Sequence, residues 1–429
     1  MDRQRGDRAR GTVLLVLVIT GLALLSSSIC FESFRPYKVV DERYVIAYTD
    51  TSDYVKLMTA SRWTAFFEAT PGDLGIEEQR KMLHHLGYVV VLALAQRTAS
   101  LVSVSGRDAL FLVNPFLIAI NSVLLTLYMA RHRVPIGVNL SLGLLYVLSL
   151  SSWVYGSLPD SWVMSGTFVL LVLFLQDIDV RPSLIAAALG LFMLNNFTLL
   201  GVVAALAPAV ARRTRTTRGT VLGLAALGLL TVGIWLGALC ALSALQPRYR
   251  PDLFIAETLR FKHALPENLP LLSVPRWGYN FVNLFLVSVV CNQGELNFSS
   301  RAILDTARSL PFGLLGLLAW ITVLGILFRR VVTGWTSTIR AEGVLGALRR
   351  PEAPPLAVVV VMTVIGGVTL YYESLLYSPA MLPALVLVLG LTWTPKTRGE
   401  LTLRWLLVGL VLTNSFMQVD RFRALLGAL

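Results

Sequence analysis

Uncharged apolar runs recur along the chain, separated by short charged joints. They lie at residues 11–31, 109–130, 134–159, 182–211, 219–247, 309–328, 353–372 and 374–395. A helix needs about 20 apolar residues to cross a bilayer, and each of these runs supplies them. Three shorter runs, 82–96, 161–176 and 405–419, reach that length only when polar flanks are drawn in. The pattern therefore predicts an all-α polytopic transmembrane helical bundle of about eleven spans, with residues 1–429 forming one transmembrane domain.

Two long segments break the alternation, 31–84 and 246–310, and both thread to the same face of the bundle. In the first, Tyr54, Leu57 and Met58, then Ala65, Phe66 and Phe67, recur at three- and four-residue spacing, until Pro71-Gly72-Asp73 ends the run. This predicts an amphipathic helix lying on the membrane surface. The second carries Pro266, Pro270 and Pro275, then an uncharged stretch at 277–294 that reads as a re-entrant or interfacial helix. If that stretch spans instead, every later helix inverts.

Composition narrows the choice. Charged residues make up only 14% of the chain, against about 25% in soluble domains, which excludes a soluble fold. The net charge of +12 comes from arginines beside the apolar runs, without the aromatic-interleaved patch that nucleic acid requires. Arg3, Arg5, Arg8 and Arg10 precede the first span. Arg212, Arg213, Arg215 and Arg218, then Arg329, Arg330, Arg340, Arg349 and Arg350, then Lys396, Arg398 and Arg404 form three more clusters. Eleven spans from a cytoplasmic N-terminus put all four on the cytoplasmic side and both long loops on the other. Arg131 and Arg133 are the exceptions, falling in a short outside loop. The first run resembles a signal sequence in its basic start, but the spans that follow favour an uncleaved anchor. Cys30, Cys240 and Cys291 are too few and scattered for a disulfide framework or a metal cluster.

The candidate chemistry sits in the two long loops. Asp50 and Asp53 lie one turn apart at the head of the surface helix, with Tyr54 beside them. Either is a helix cap, or one is a general base whose pKa the bilayer raises. In the second loop Arg260, Lys262 and His263, with Arg276 further on, suit a phosphate group or lipid headgroups. Glu373, an acid between two spans on the outside face, completes the substrate-binding candidates. Asn195-Asn196 with Thr198, inside the longest uncharged run, reads as interhelical packing. His84-His85 reads as an interfacial pair, not a metal site.

Taken together, these elements resemble the GT-C superfamily of membrane glycosyltransferases, the group of protein O-mannosyltransferases and aminoarabinose transferases. The resemblance rests on the arginine-started first helix, the Asp50-x-x-Asp53-Tyr54 element before a surface helix, and Glu257-x-x-Arg260-x-Lys262-His263 in the later loop. Asn114-Pro115, Pro159-Asp160 and Ser378-Pro379-Ala380-Met381-Leu382-Pro383 agree with it more loosely. It implies transfer of a sugar from a polyprenyl-phosphate donor to a hydroxyl of a glycan, lipid or protein acceptor in the cell envelope. The outside-loop acid would be the base, at Asp53 or Asp50. It calls for no cofactor, a divalent metal being the one admitted exception, and for membrane lipid as a partner. The rival expectation is a polytopic transporter or lipid flippase.

Overall fold

The computed structural model describes residues 2–34, 85–101, 104–157, 160–245, 273–287, 289, 313–368, 378–393 and 397–427. Among them every regular element is helical. In chain order these are α1 (Asp2–Phe34), α2 (Leu86–Leu101), α3 (Gly106–Arg131), α4 (Ile136–Leu148), α5 (Leu150–Ser157), α6 (Ser161–Asp177) and α7 (Pro182–Phe192). A 3-10 segment (Phe197–Leu206) then runs into α8 (Ala207–Thr214) and α9 (Thr217–Leu245). After them come α10 (Val274–Phe281) with a π-helical turn (Val282–Val287), then α11 (Gly313–Leu348), α12 (Ala353–Val368), α13 (Ser378–Thr392) and α14 (Arg398–Gly427). Five of the helical stretches are long and apolar enough to cross a membrane: Ala9–Ile29, Asp108–Arg131, Phe197–Thr214, Thr217–Ala244 and Leu314–Leu348. The core is apolar, with Ile19, Leu125, Leu189 and Val386 fully buried, yet Leu14, Leu17 and Leu229 are exposed. Apolar residues on the outward faces match a hydrocarbon solvent.

Helix ends follow local chemistry. Ser105 caps α3, accepting from the Asp108 amide at 3.0 Å, and Asp160 caps α6, accepting from the Trp162 amide at 2.9 Å. At the other ends, Arg133, Asp179 and Arg215 take left-handed conformations (φ 60°, 62° and 57°) to close α3, α6 and α8. Such closures usually fall to glycine, and a side chain there costs about 1–2 kcal/mol.

Contacts fix the direction of each helix. Gly11 meets Ile136 and Ile19 meets Gly143, so α1 and α4 run parallel. Arg131 and His132 pair with Asp177, while Asn114 reaches the Asp160 carbonyl, so α3 and α6 also run parallel. Arg330 bonds Glu400 at 2.6 Å, and the Arg404 guanidinium faces Gly137. These contacts gather Gly11, Arg131, Ile136, Asp177, Arg330, Glu400 and Arg404 at one end, which we call the basic end. Backbone packs closely where side chains are smallest. The carbonyl of Pro379 on α13 lies against Gly166 of α6, where a Cβ would clash.

Two expectations change. Helix α2 runs beside only the far part of α3, with Tyr88 at Asn114 and Gln96 at Gly106. From Tyr88 onward it leads away from the basic end. The run at 182–211 is two arms instead of one. Helix α7 rises from the basic end parallel to α9, with Thr231 Oγ1 donating to the Ala186 carbonyl at 3.0 Å. The chain turns at 193–196, and the 3-10 segment and α8 return. Helix α3 finishes at the basic end, where Arg131 pairs with Asp177 and the left-handed Arg133 follows. Of the two long segments, residues 35–84, 246–272, 288 and 290–310 fall outside the described residues.

A labelling experiment checks this. With Cys30, Cys240 and Cys291 replaced by serine, Arg133→Cys and Arg215→Cys, both at exposed positions, are expected to react with an impermeant maleimide from the same side of the membrane. Reaction of residue 133 but not 215 in intact cells would refute the two-armed run.

Candidate functional site

The end opposite the basic one carries a buried polar cluster. Asn114 on α3 accepts from the Tyr88 hydroxyl at 2.9 Å and donates to the carbonyls of Tyr155 at 2.8 Å and Asp160 at 2.9 Å. One side chain thus ties α2, α3, the end of α5 and the cap of α6. Asn195, at the tip of the two-armed run, donates to the Ser161 carbonyl at 3.2 Å and to Ser165 Oγ at 3.0 Å. Asn196 caps the returning arm, accepting from the Thr198 amide at 3.1 Å and its hydroxyl at 2.7 Å. His85 Nδ1 lies 2.7 Å from the Asn195 carbonyl and 3.0 Å from Ser161 Oγ. A carbonyl only accepts, so Nδ1 carries the hydrogen, and Nε2 is the nitrogen that takes up a proton.

Beside this cluster, α10 and the π-helical turn descend along α12. Arg276 is buried, and its Nε and Nη2 donate to the Gly367 and Val368 carbonyls at the C-terminus of α12, the second at 2.7 Å. Trp277 covers Gly367, where any Cβ would overlap the indole. Deeper, Asn280 Nδ2 donates to the Thr363 carbonyl at 2.7 Å, and Trp320 Nε1 donates to the Phe285 carbonyl. The π-helical turn frees carbonyls of this kind, which buried donors must meet.

A groove of about 640 Å³ opens between the end of α10, the π-helical turn, α11, α12 and α13. Its walls are hydrocarbon throughout: Phe281, Phe285, Leu324, Phe328, Leu356, Val359, Leu385 and Val388, with Gly325 in the floor. Phe281, Ile321 and Phe328 are exposed, so the groove opens sideways toward lipid. Its chemistry suits an acyl or prenyl chain and offers nothing to a polar solute.

Of the site residues expected from sequence, Arg276 is described; it lies on α10, which also supplies Phe281 to the groove wall, and two of its donors are committed to α12. Asp50, Asp53, Tyr54, Arg260, Lys262, His263 and Glu373 lie outside the described residues. His85, Asn114 and Asp160 carry more structure than the sequence reading gave them. The signal was present for Asp160, because a polar residue at the head of an apolar run marks a helix start, whereas Asn114 lies beside Pro115 inside the unbroken α3. Among the described residues, no three His, Cys, Asp or Glu side chains gather in a way that would hold a metal ion.

Replacing Asn114 with leucine should lower the unfolding midpoint in detergent, at a cost of about 1–3 kcal/mol, because two buried carbonyls lose their donor. A thermal-shift measurement checks this, and an unchanged midpoint would show that the cluster does not hold the bundle. Comparison with protein-family models, with curated proteins and with solved structures finds no match to this chain.

Proposed function

We propose that the protein is a membrane glycosyltransferase that moves a sugar from a polyprenyl-phosphate donor to an acceptor hydroxyl, with inversion. The observation that carries the reading is the hydrocarbon-lined groove beside the end of α10, the helix of Arg276, continuous in sequence with the loop bearing Arg260, Lys262 and His263. A donor of this class has a long apolar tail joined to an anionic phosphate, and needs both kinds of surface side by side. A transporter or flippase would need polar groups open along a pathway. Here the buried Asn114, Asn195 and Asn196 are engaged at helix breaks instead.

In this reading the chain makes eleven passes with a cytoplasmic N-terminus. The two long loops meet on the far side, at headgroup depth. The Asp53 carboxylate, or Asp50, takes the proton of the acceptor hydroxyl as that oxygen attacks the anomeric carbon. The bond from the anomeric carbon to the phosphate oxygen breaks, and polyprenyl phosphate leaves with the electron pair. Arg260, Lys262 and His263 take up the charge developing on it. Arg276 ties α10 to α12 so that tail and phosphate enter in register, while Tyr54 and Glu373 line the acceptor side. One base on the face opposite the leaving group gives inversion. The acceptor is a glycan, lipid or protein hydroxyl.

Two experiments test this. Purified protein supplied with polyprenyl-phosphate sugars should lose transfer by roughly 100-fold or more in one of Asp53→Asn and Asp50→Asn, with normal insertion and folding. Transfer at the parental rate in the double Asn variant removes the proposed base. Gly325→Trp fills the groove from a position where a Cβ meets nothing within 4 Å. It should raise KM for a long-chain donor by about tenfold, the equivalent of ~1.4 kcal/mol of binding, and leave a short-chain donor nearly unaffected. Equal effects on both donors would detach the groove from the reaction.

A further inference from the structure

Four charged side chains are buried among the described residues: Asp160, Arg276, Glu352 and Arg404. Three have evident work. Asp160 caps α6, Arg276 meets the last carbonyls of α12, and Glu352 pairs with Arg350. Arg404, on α14 at the basic end, is only 3% exposed, yet its Nε and Nη1 have no hydrogen-bond partner among the described residues. Glu400, one turn earlier, is paired with Arg330. Arg404 does lie over the Trp405 ring, 5.8 Å from its centroid, but that contact uses no N–H group.

The guanidinium faces the first turn of α4. An ideal Cβ on Gly137 would sit 4.0 Å from Arg404 Nη2. That turn begins after Pro135, which provides no side-chain cap. The amides of Val138 and Asn139 bond the Pro135 carbonyl, while those of Ile136 and Gly137 belong to the helix start, where no intrahelical acceptor exists. A buried cation therefore points at the positive end of a helix, an arrangement that costs free energy until an anion stands between them. Pro135, Ile136 and Gly137 are exposed, so the approach is open. Gly11 packs on Ile136, which brings the exposed Arg10 to the same corner.

We propose that Arg404 and the N-terminal turn of α4 form a binding site for a phosphate group at the basic end of the bundle. The Nη2 group of Arg404, which faces the turn, supplies the charged donor, the first amides of α4 supply more, and Gly137 has no side chain to stand between them. The phosphate belongs to a lipid headgroup or to free phosphate. Exposed Leu401, Trp405 and Leu406 on α14 offer an apolar flank for acyl chains. This site is remote from the proposed transfer site and does not depend on it.

The experiment is a thermal-shift and native mass-spectrometry titration of the full-length protein in neutral detergent, with phosphatidylglycerol and, separately, inorganic phosphate. Phosphatidylglycerol should raise the melting temperature and stay bound, with apparent affinity at least about tenfold lower in Arg404→Gln. Gly137→Asp places a carboxylate in the site. It should raise the melting temperature without lipid and abolish the response to phosphatidylglycerol. If inorganic phosphate gives the same shift, erased by the same variants, the site is upheld and its source is the free anion. Undiminished phosphatidylglycerol binding in both variants overturns the proposal. Gly137→Asp decides the matter alone if Arg404→Gln does not fold.

Discussion

A helix that stops inside a hydrocarbon-facing bundle leaves amides and carbonyls that only protein can satisfy, and this constraint organises the structure. Each internal break is met by a buried polar side chain from another element or from the turn itself. Asn114 bridges the carbonyls of Tyr155 and Asp160 where α5 gives way to α6. Asn196 restarts the chain after α7, and Asn195 fastens that turn to α6. Arg276 meets the last carbonyls of α12, and Trp320 meets the Phe285 carbonyl beside the π-helical turn. The polar residues of the interior are thus the fastenings of broken helices, and the apolar core fills around them.

The same rule separates the two ends. At the basic end, ion pairs such as Arg131 with Asp177 and Arg330 with Glu400 join neighbouring helices, and left-handed arginine and aspartate residues close the turns. Partly exposed pairs of this kind add little stability, so their value lies in aligning α3 with α6 and α11 with α14. Arg404 departs from the pattern as a buried cation whose N–H groups the protein itself does not answer. At the opposite end, neutral amides and hydroxyls do most of the joining, with Arg276 meeting the end of α12.

The groove is a product of irregular helix geometry. A π-helical turn widens the chain at Val282–Val287, and Gly325 removes a side chain from the facing wall of α11. Phe281 and Phe285 stack at 4.8 Å along one edge, giving a rigid aromatic side to an otherwise aliphatic channel.

The sequence by itself determined the class of fold, because uncharged runs of sufficient length have no stable solution in lipid other than helices, and it determined which arginines flank them. It also held the helix-start signals at Asp160 and Asn195-Asn196, legible as caps once continuity of the runs is not assumed. Only the tertiary structure decided that the run at 182–211 is two arms, because hydropathy along the chain is the same for a thirty-residue helix and for two arms joined by a polar turn. It also decided that Arg131 meets Asp177 at the basic end. The groove and the Arg404 corner were invisible for a different reason. Both are made by helices distant in sequence, α10 against α11 to α13 and α14 against α4, and local composition does not encode which distant surfaces meet.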